Sequence, residues 1–292
     1  MFIPEFNYYK PETIEEAYTL VNEINDPGLL AGGTDLLVEI KQGKRSHNDI
    51  ISLTGIEELK KIIKEGDKIY IGAGVIHNEI LNSPLLKEYC SALCDTARNI
   101  ATEQIRNTAT LGGNLCTAAS CCDMAPILIS LGAEIDVVST NGERVIPLSD
   151  FFTGHRTTAL KRNEILYRIK INIPSESTSA CYKKFGIRDA ASIAVASVAC
   201  MIKIENDTCT EASIVLGAVA PAPKLSGKAA ALIKGRKLNE LTGEYLAQIG
   251  EAAAADSQPI NDIRGTAGYR KELVKILTIR AIEETINNFG KK

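Results

Sequence analysis

The first segment with a clear hydrophobic pattern lies near the start of the chain. Ile14, Ala17 and Val21 recur at the spacing of one helical face. Thr13 and Glu16 stand three residues apart around the start of this face, in the pattern of an N-terminal capping box. The pattern therefore predicts an amphipathic helix that begins at about residue 14.

Shorter apolar runs follow this helix. Residues 28–31 and 49–53 have the length and composition of strands, and residues 36–40 between them fit a short helix. A second capping-box pattern predicts a further helix over residues 54–63. The order of strand, helix and strand predicts a βαβ-like unit.

The middle of the chain mixes helical and strand patterns. Residues 68–72 predict a strand, and helical segments follow across residues 76–102. Further on, the stretches EIDVVST and ERVIPL flank Asn141-Gly142, a pair that is typical of a β-hairpin turn. Another strand is predicted over about residues 164–173.

The last third of the chain changes to strands followed by helices, after a linker of turn-forming residues at 174–179. This order is typical of an α+β domain with an antiparallel sheet. We therefore predict an α/β part followed by an α+β part. The predicted domains are residues 1–56, 57–175 and 176–292; the late strands cover 181–187, 193–204 and 211–219, and the late helices 238–255 and 267–288.

Composition and charge narrow the classes of function. The 292 residues are 45% hydrophobic and 24% charged, as in an ordinary globular protein, and the net charge of −3 shows no basic surplus for nucleic acid. No apolar run reaches the ~20 residues that cross a bilayer, and residues 1–17 lack the pattern of a secretory signal. We expect a cytoplasmic protein with reduced cysteines and without nucleic-acid or membrane partners.

A glycine pair at 32–33 marks the first candidate site. It lies in the segment Leu29–Leu36, where a predicted strand runs into a predicted helix. Two glycines let the backbone approach a ligand closely, and free N–H groups of such a turn can hold an anion such as a pyrophosphate. Thr34 adds a hydroxyl donor. The alternative is a tight turn in which Thr34 or Asp35 only caps the helix.

A second glycine pair strengthens the first. Gly112 and Gly113 lie within 106–115, again between small hydroxyl and amide side chains. Two such turns can close on one extended, phosphate-bearing ligand from either side. The pair therefore indicates a phosphate-containing ligand more strongly than one turn does.

Both turns resemble motifs of a known family. AGGTDLL at 31–37 resembles the first flavin motif of the FAD subunits of molybdenum hydroxylases, and QIRNTATLGGNLCTA at 104–118 resembles the second. The family includes xanthine dehydrogenase, the medium subunit of aerobic carbon monoxide dehydrogenase, and nicotinate dehydrogenase. The resemblance extends through 182–196 and 216–223 and spans nearly the whole chain.

The resemblance implies FAD as the cofactor and no catalytic residue or metal ligand in this chain. It implies two N-terminal subdomains that hold FAD between them, in a flavin-binding unit of the vanillyl-alcohol oxidase (PCMH) type. A C-terminal antiparallel sheet with helices would follow, as in carbon monoxide dehydrogenase flavoproteins. The cofactor-binding positions that it implies are Leu29, Leu30, Ala31, Gly32, Gly33, Thr34, Asp35, Leu36, Ala101, Thr110, Leu111, Gly112, Gly113, Asn114, Asp123, Leu166 and Lys183.

Three of these positions have separate roles by resemblance. Asp123 matches an acidic residue that hydrogen-bonds the cofactor, Leu166 an apolar position beside the flavin, and Lys183 a lysine near the isoalloxazine ring. A cation near that ring stabilises negative charge on the reduced flavin and raises its potential. From the residues alone, Asp123 also fits a helix N-cap, Leu166 a core position and Lys183 a solvated strand lysine.

The sequence departs from the family pattern after the second glycine turn. Relatives commonly carry a Ser-rich or Pro-containing stretch there, whereas this chain has Cys116, Cys121 and Cys122. One branch of the family carries an extra iron–sulfur cluster on an inserted loop that this sequence lacks, and a cluster takes four thiolates. We therefore expect small buried thiols. The histidines lack ligand spacing, and we expect surface or hydrogen-bonded positions for His47, His77 and His155.

The resemblance also implies a role in electron transfer within a larger assembly. A large partner subunit would bind molybdopterin and hydroxylate the substrate. A small partner subunit with two [2Fe-2S] clusters would deliver the electrons, and FAD on this chain would carry them to a soluble acceptor, plausibly NAD+. From the residues alone two other classes stay open, namely a free-standing FAD-dependent oxidase of the same fold and a non-enzymatic binder of a phosphorylated ligand.

Overall fold

The chain begins with a small parallel sheet. The computed structural model describes residues 3–289, and its first three strands, β1 (Asn7–Tyr9), β2 (Gly28–Leu30) and β3 (Asp49–Ser52), lie in the order β1-β3-β2. The predicted first helix is confirmed, because its buried face holds Ile14, Ala17 and Val21 and the Thr13 hydroxyl accepts from the Glu16 N–H at 3.2 Å. The elements are β1 (Asn7–Tyr9), α1 (Ile14–Glu23), β2 (Gly28–Leu30), α2 (Leu36–Lys41) and β3 (Asp49–Ser52).

The predicted helix over residues 54–63 is wrong. Two short 3-10 turns occupy this region, and a strand, Ile62–Glu65, follows them. This strand pairs antiparallel with the next one, Lys68–Gly72, so its backbone hydrogen bonds go to a neighbour in the sheet. Sheet pairing therefore overrides a local capping pattern, which contributes too little free energy to hold a helix alone.

A five-stranded antiparallel sheet forms the second unit. Its strands lie in the order β4 (Ile62–Glu65), β5 (Lys68–Gly72), β10 (Ile165–Asn172), β6 (Glu134–Ser139) and β7 (Gly142–Pro147). The predicted hairpin is confirmed with its turn one residue earlier, since Ser139 pairs with Gly142, whose φ is +104°. The elements are β4 (Ile62–Glu65), β5 (Lys68–Gly72), α3 (His77–Asn82), α4 (Pro84–Tyr89), α5 (Ser91–Arg98), α6 (Glu103–Arg106), α7 (Leu111–Thr117), α8 (Met124–Ser130), β6 (Glu134–Ser139), β7 (Gly142–Pro147), α9 (Leu148–Phe151), β8 (Phe152–Gly154), β9 (Thr157–Thr158) and β10 (Ile165–Asn172).

The last third is an antiparallel sheet with both faces covered. Helices α10 (Gly227–Ile233) and α12 (Ala267–Asn287) pack on one face, and α11 (Gly243–Asp256) packs against both of these helices. Helices α5 and α8 of the second unit pack on the other face. Side chains of β11 therefore alternate between two cores: Tyr182 joins the core of the first two units, and Cys181 joins the core beneath the C-terminal helices. The elements are β11 (Thr178–Gly186), β12 (Ala194–Glu205), β13 (Thr208–Gly217), β14 (Lys224–Leu225), α10 (Gly227–Ile233), α11 (Gly243–Asp256) and α12 (Ala267–Asn287).

The predicted succession of an α/β part and an antiparallel α+β part is confirmed. The predicted domain boundaries stay predictions, and their outer ends at residues 1 and 292 lie outside the described residues. Among the helices of residues 3–289, none combines the length and the apolar character that crossing a membrane requires.

Candidate functional site

The first glycine turn presents a row of free N–H groups. Residues 31–36 join the end of β2 to the start of α2, and within the described residues none of their six backbone N–H groups donates a hydrogen bond. The first such bond into the helix runs from the Leu37 N–H to the Gly33 carbonyl at 3.2 Å. Consecutive N–H groups in a concave turn suit an anionic ligand such as a pyrophosphate.

Glycine at position 33 has two structural reasons. Its φ of +70° lies in the left-handed region, which residues with a Cβ atom adopt only with strain. A Cβ atom there would also lie 3.0 Å from the side chains of Leu30 and Leu37. Asp35 makes no capping hydrogen bond to α2, and the Thr34 side chain makes none within the described residues. The alternative of a turn that serves only to cap the helix is therefore wrong.

The second glycine turn uses its N–H groups inside the protein. The Leu111 N–H donates to the Val75 carbonyl at 2.9 Å, and the Gly112 N–H donates to the Ala73 carbonyl at 2.8 Å. Gly113 and Asn114 donate to Thr110, which caps α7. This turn is therefore anchored to the loop after β5.

The fold brings the two turns into direct contact. A Cβ atom on Gly32 would lie 2.1 Å from the Thr108 carbonyl oxygen, so only glycine allows this approach. Beside it, the Thr117 hydroxyl lies 3.3 Å from a carboxylate oxygen of Asp35. Two motifs that are more than 70 residues apart in the sequence thus form one surface.

Asp123 lies at the centre of a buried polar cluster. Its carboxylate accepts from the Tyr182 hydroxyl at 2.6 Å and from the Lys184 ammonium at 2.8 Å, while Lys184 also donates to the Asn99 carbonyl at 3.0 Å. Burial raises the pKa of Asp123, and Lys184 and Tyr182 act against this rise. Asp123 occupies the N-cap position of α8, but its side chain makes no capping hydrogen bond to that helix.

Lys183 does not join this cluster. It lies on the other face of the sheet and forms an ion pair with Glu284 of α12. Adjacent residues of a strand point to opposite faces, so the sequence position beside Lys183 supplies the cation at Asp123. Lys183 as a cofactor contact therefore stays a prediction, and Tyr182 and Lys184 are polar side chains around Asp123 that the sequence prediction did not name.

Ala101 and Leu166 occupy different surroundings. Ala101 has a left-handed φ of +42°, and its carbonyl accepts from the N–H of Ala191, which is also left-handed at +51°. A hydrogen bond therefore connects the loop after β11 to residue 101. Leu166 is buried in β10 as part of the first core, where the carbonyl of the next residue, Tyr167, accepts from Ala73 beneath the second turn.

The cysteines near the site are thiols. Cys122 is buried and donates to the Asn114 side-chain oxygen at 2.9 Å, and burial raises its pKa. Cys116 is exposed and Cys121 is half-buried, so the expectation of buried thiols holds for Cys122 and is wrong for Cys116. Within the described residues, no three histidine, cysteine or acidic side chains lie close enough to hold a metal ion.

One histidine departs from expectation. His77 is fully buried at the start of α3, and neither ring nitrogen has a hydrogen-bond partner among the described residues. Burial, with a smaller contribution from the charge of Arg106, lowers the pKa of His77 to about 4. The expectation of a surface or hydrogen-bonded side chain is therefore wrong for His77, whereas His47 is half-buried and forms a hydrogen bond with the Asp26 carbonyl.

Comparisons with known proteins agree with this geometry. Residues 4–176 match the model of the FAD binding domain in molybdopterin dehydrogenase, and residues 180–285 match the carbon monoxide dehydrogenase flavoprotein C-terminal domain. The xanthine dehydrogenase FAD-binding subunit of Escherichia coli O157:H7 is 28% identical over 98% of each chain. The nicotinate dehydrogenase FAD-subunit of Eubacterium barkeri is 30% identical over 93% of each chain.

A solved structure extends the likeness to the whole fold. Carbon monoxide dehydrogenase from Hydrogenophaga pseudoflava, in a form that lacks the Mo-pyranopterin moiety, superposes with a TM-score of 0.94 at 28% identity. The match covers 98% of this chain and 99% of that one. The predicted flavin-binding unit and C-terminal domain are confirmed, as is FAD as the cofactor. The chain belongs to the family of FAD-binding subunits of the molybdopterin dehydrogenases, which are oxidoreductases.

Proposed function

We propose that this chain is the electron-transfer subunit of a molybdenum hydroxylase with three kinds of subunit. In this role it receives electrons from [2Fe-2S] clusters of a small partner subunit, and a large partner subunit binds molybdopterin. The electrons leave through NAD+ or another soluble acceptor. The names of the relatives support this role, since they describe FAD-binding subunits of xanthine and nicotinate dehydrogenases.

The observation that carries the proposal is the row of free N–H groups at residues 31–36. These groups would bind the pyrophosphate of FAD, with the Thr34 hydroxyl as a further donor. The second turn packs against the first and would close the same ligand with side chains, among them the amide of Asn114. FAD, when bound, supplies the redox chemistry, and the protein supplies binding and orientation.

The buried cluster around Asp123 would meet the other end of the cofactor. A carboxylate accepts hydrogen bonds and therefore suits hydroxyl groups or a ring N–H of the ligand. Lys184 holds a positive charge at the same carboxylate, and a buried ammonium beside a redox ring raises the ring's reduction potential. We assign this role to Lys184 in place of Lys183.

The oxidase alternative gains no support from the described residues. A substrate-oxidising flavoprotein needs a proton acceptor at the flavin, and the three titratable side chains of this cluster, Asp123, Tyr182 and Lys184, are bonded to one another. Asp123 accepts hydrogen bonds from Tyr182 and Lys184. Burial and the nearby carboxylate raise the pKa of Tyr182.

The cytoplasmic location of the protein stays a prediction.

Absorption spectroscopy of the purified chain tests the proposal. We expect flavin bands, release of FAD on denaturation, and loss of the bands when NADH is added without oxygen. If a [2Fe-2S] donor protein reduces the flavin but NADH does not, the electron acceptor is a molecule other than NAD+. A chain that binds no FAD, alone or with its partner subunits, would contradict the proposal.

A further inference from the structure

The two glycine turns are joined a second time behind the site, by charged side chains. Helix α2 starts directly after the first turn, and its residue Glu39 is buried. Its carboxylate forms ion pairs with two arginines, Arg45 and Arg156. Two guanidinium groups on one carboxylate are more than neutralisation of a single negative charge requires.

The two arginines come from different parts of the fold. Arg45 follows α2 in the chain and stays within the first unit, where it contacts Glu39 at 2.7 Å. Arg156 lies 117 residues away, at the tip of the small β8-β9 hairpin in the second unit, with a left-handed φ of +56°. Of the two arginines, only Arg156 therefore connects the first unit to the second.

The backbone of Arg156 completes the connection. Its N–H donates to the carbonyl of Ala118 at 2.9 Å, and Ala118 is the left-handed residue that ends α7. Helix α7 begins at the second glycine turn. One residue thus holds the far end of α2 through its side chain and the far end of α7 through its main chain.

From this arrangement we infer that Arg156 is a positioning residue for FAD. It sets the separation of the two helices that carry the glycine turns, and so the width of the gap between the turns. At the turns themselves, Gly32 contacts Thr108 and Asp35 contacts Thr117. At the opposite ends of the two helices, Arg156 connects Glu39 to Ala118. The inference rests on the proposed placement of FAD between the turns.

Arg45 is a matched control for Arg156. Both bind the same carboxylate, and their side chains are similarly exposed, at 45% and 39%. Arg156→Ala keeps the main-chain bond to Ala118 and removes only the link to α2. If the arginines serve only to neutralise Glu39, Arg45→Ala and Arg156→Ala have equal effects. If Arg156 spans the two units, only its removal loosens the site.

The experiment titrates FAD into the flavin-free full chain and follows flavin fluorescence and the circular dichroism of the bound flavin. We expect Arg156→Ala to weaken binding about tenfold and to change the dichroism of the flavin, with Arg45→Ala within about twofold of wild type. Arg156→Lys, which keeps a cation at Glu39, should recover most of the affinity.

The outcomes separate the inference from the proposed function. Thermal unfolding of the flavin-free variants reports stability, and we expect similar losses for the two alanine variants. Equal effects of both alanine variants on FAD affinity, no effect of Arg156→Ala, or an Arg156→Lys variant that binds FAD as weakly as Arg156→Ala would overturn the positioning role while leaving the flavin site intact. Failure of the wild-type chain to bind FAD would overturn the flavin site and the inference together.

Discussion

The two glycine turns look alike in sequence and differ in what their backbones do. In the first turn, six consecutive N–H groups make no hydrogen bond within the described residues. In the second, four of the five N–H groups from Thr110 to Asn114 are bonded inside the protein. The first turn is therefore free to bind a ligand, and the second is a rigid support. A Gly-Gly pair alone does not distinguish these roles.

The largest effect on cofactor binding is expected at Gly33. In Gly33→Val, the new side chain meets Leu30 and Leu37 at 3.0 Å in a left-handed backbone, so the turn must shift and its N–H groups lose their alignment. We expect FAD affinity to fall by roughly 100-fold, measured by fluorescence titration. Gly43→Val is the control, because Gly43 is also left-handed but has no neighbour within 4 Å. Equal losses of FAD affinity in both variants would contradict the proposal that the N–H groups of residues 31–36 bind the pyrophosphate.

At the second turn the expected loss is in stability. In Gly112→Ala, the added methyl group would lie 2.7 Å from the Ala73 side chain and 2.8 Å from its carbonyl oxygen. Such overpacking lowers the free energy of unfolding by about 1–3 kcal/mol. Denaturant unfolding of the flavin-free chain measures it, with Gly268→Ala, which has open space, as control. A stable Gly112→Ala variant with weak FAD binding would reverse the roles that we assign to the two turns.

A smaller effect separates the two neighbouring lysines. We expect Lys184→Met to lower the reduction potential of the bound flavin by about 30 mV, which is about 1.4 kcal/mol for two electrons. Lys183→Met should leave the potential unchanged, because Lys183 pairs with Glu284 on the opposite face of the sheet. Redox titration of both variants against a reference dye decides the matter. A shift in the Lys183 variant alone would restore the original assignment.

The smallest effect concerns the support behind the second turn. The backbone N–H of His77 donates to the Ala109 carbonyl. Burial lowers the pKa of the His77 ring from 6.5 to about 4. The unfolded chain takes up the proton first, so stability that is present above pH 6.5 is lost as the pH falls towards 4. Between pH 7.5 and pH 6 the loss is about 1 kcal/mol. His77→Leu should remove it in urea unfolding at the two pH values; an unchanged pH slope would contradict the buried neutral ring.

Local patterns predicted much of the fold. The capping box at Thr13 and the Asn141-Gly142 hairpin lie where expected, within one residue, because their signals act between near neighbours. The prediction of a helix over residues 54–63 failed because Ile62–Glu65 pairs with the next strand, Lys68–Gly72, which is itself part of a larger sheet. Lys183 was predicted by resemblance alone; because β11 is covered on both faces, alternation of polar and apolar residues does not indicate which of Lys183 and Lys184 faces Asp123.

The sequence alone was sufficient for the family, the cofactor and the two glycine motifs, because these depend on residue types at short spacings. Three features depend on which groups of the folded chain meet and which do not. They are the free N–H groups of the first turn, the hydrogen-bonded N–H groups of the second turn, and the cluster of Asp123, Tyr182 and Lys184. A hydrogen bond requires two groups to meet in space with the right direction. That meeting is a property of the folded chain, and no local pattern of residues contains it.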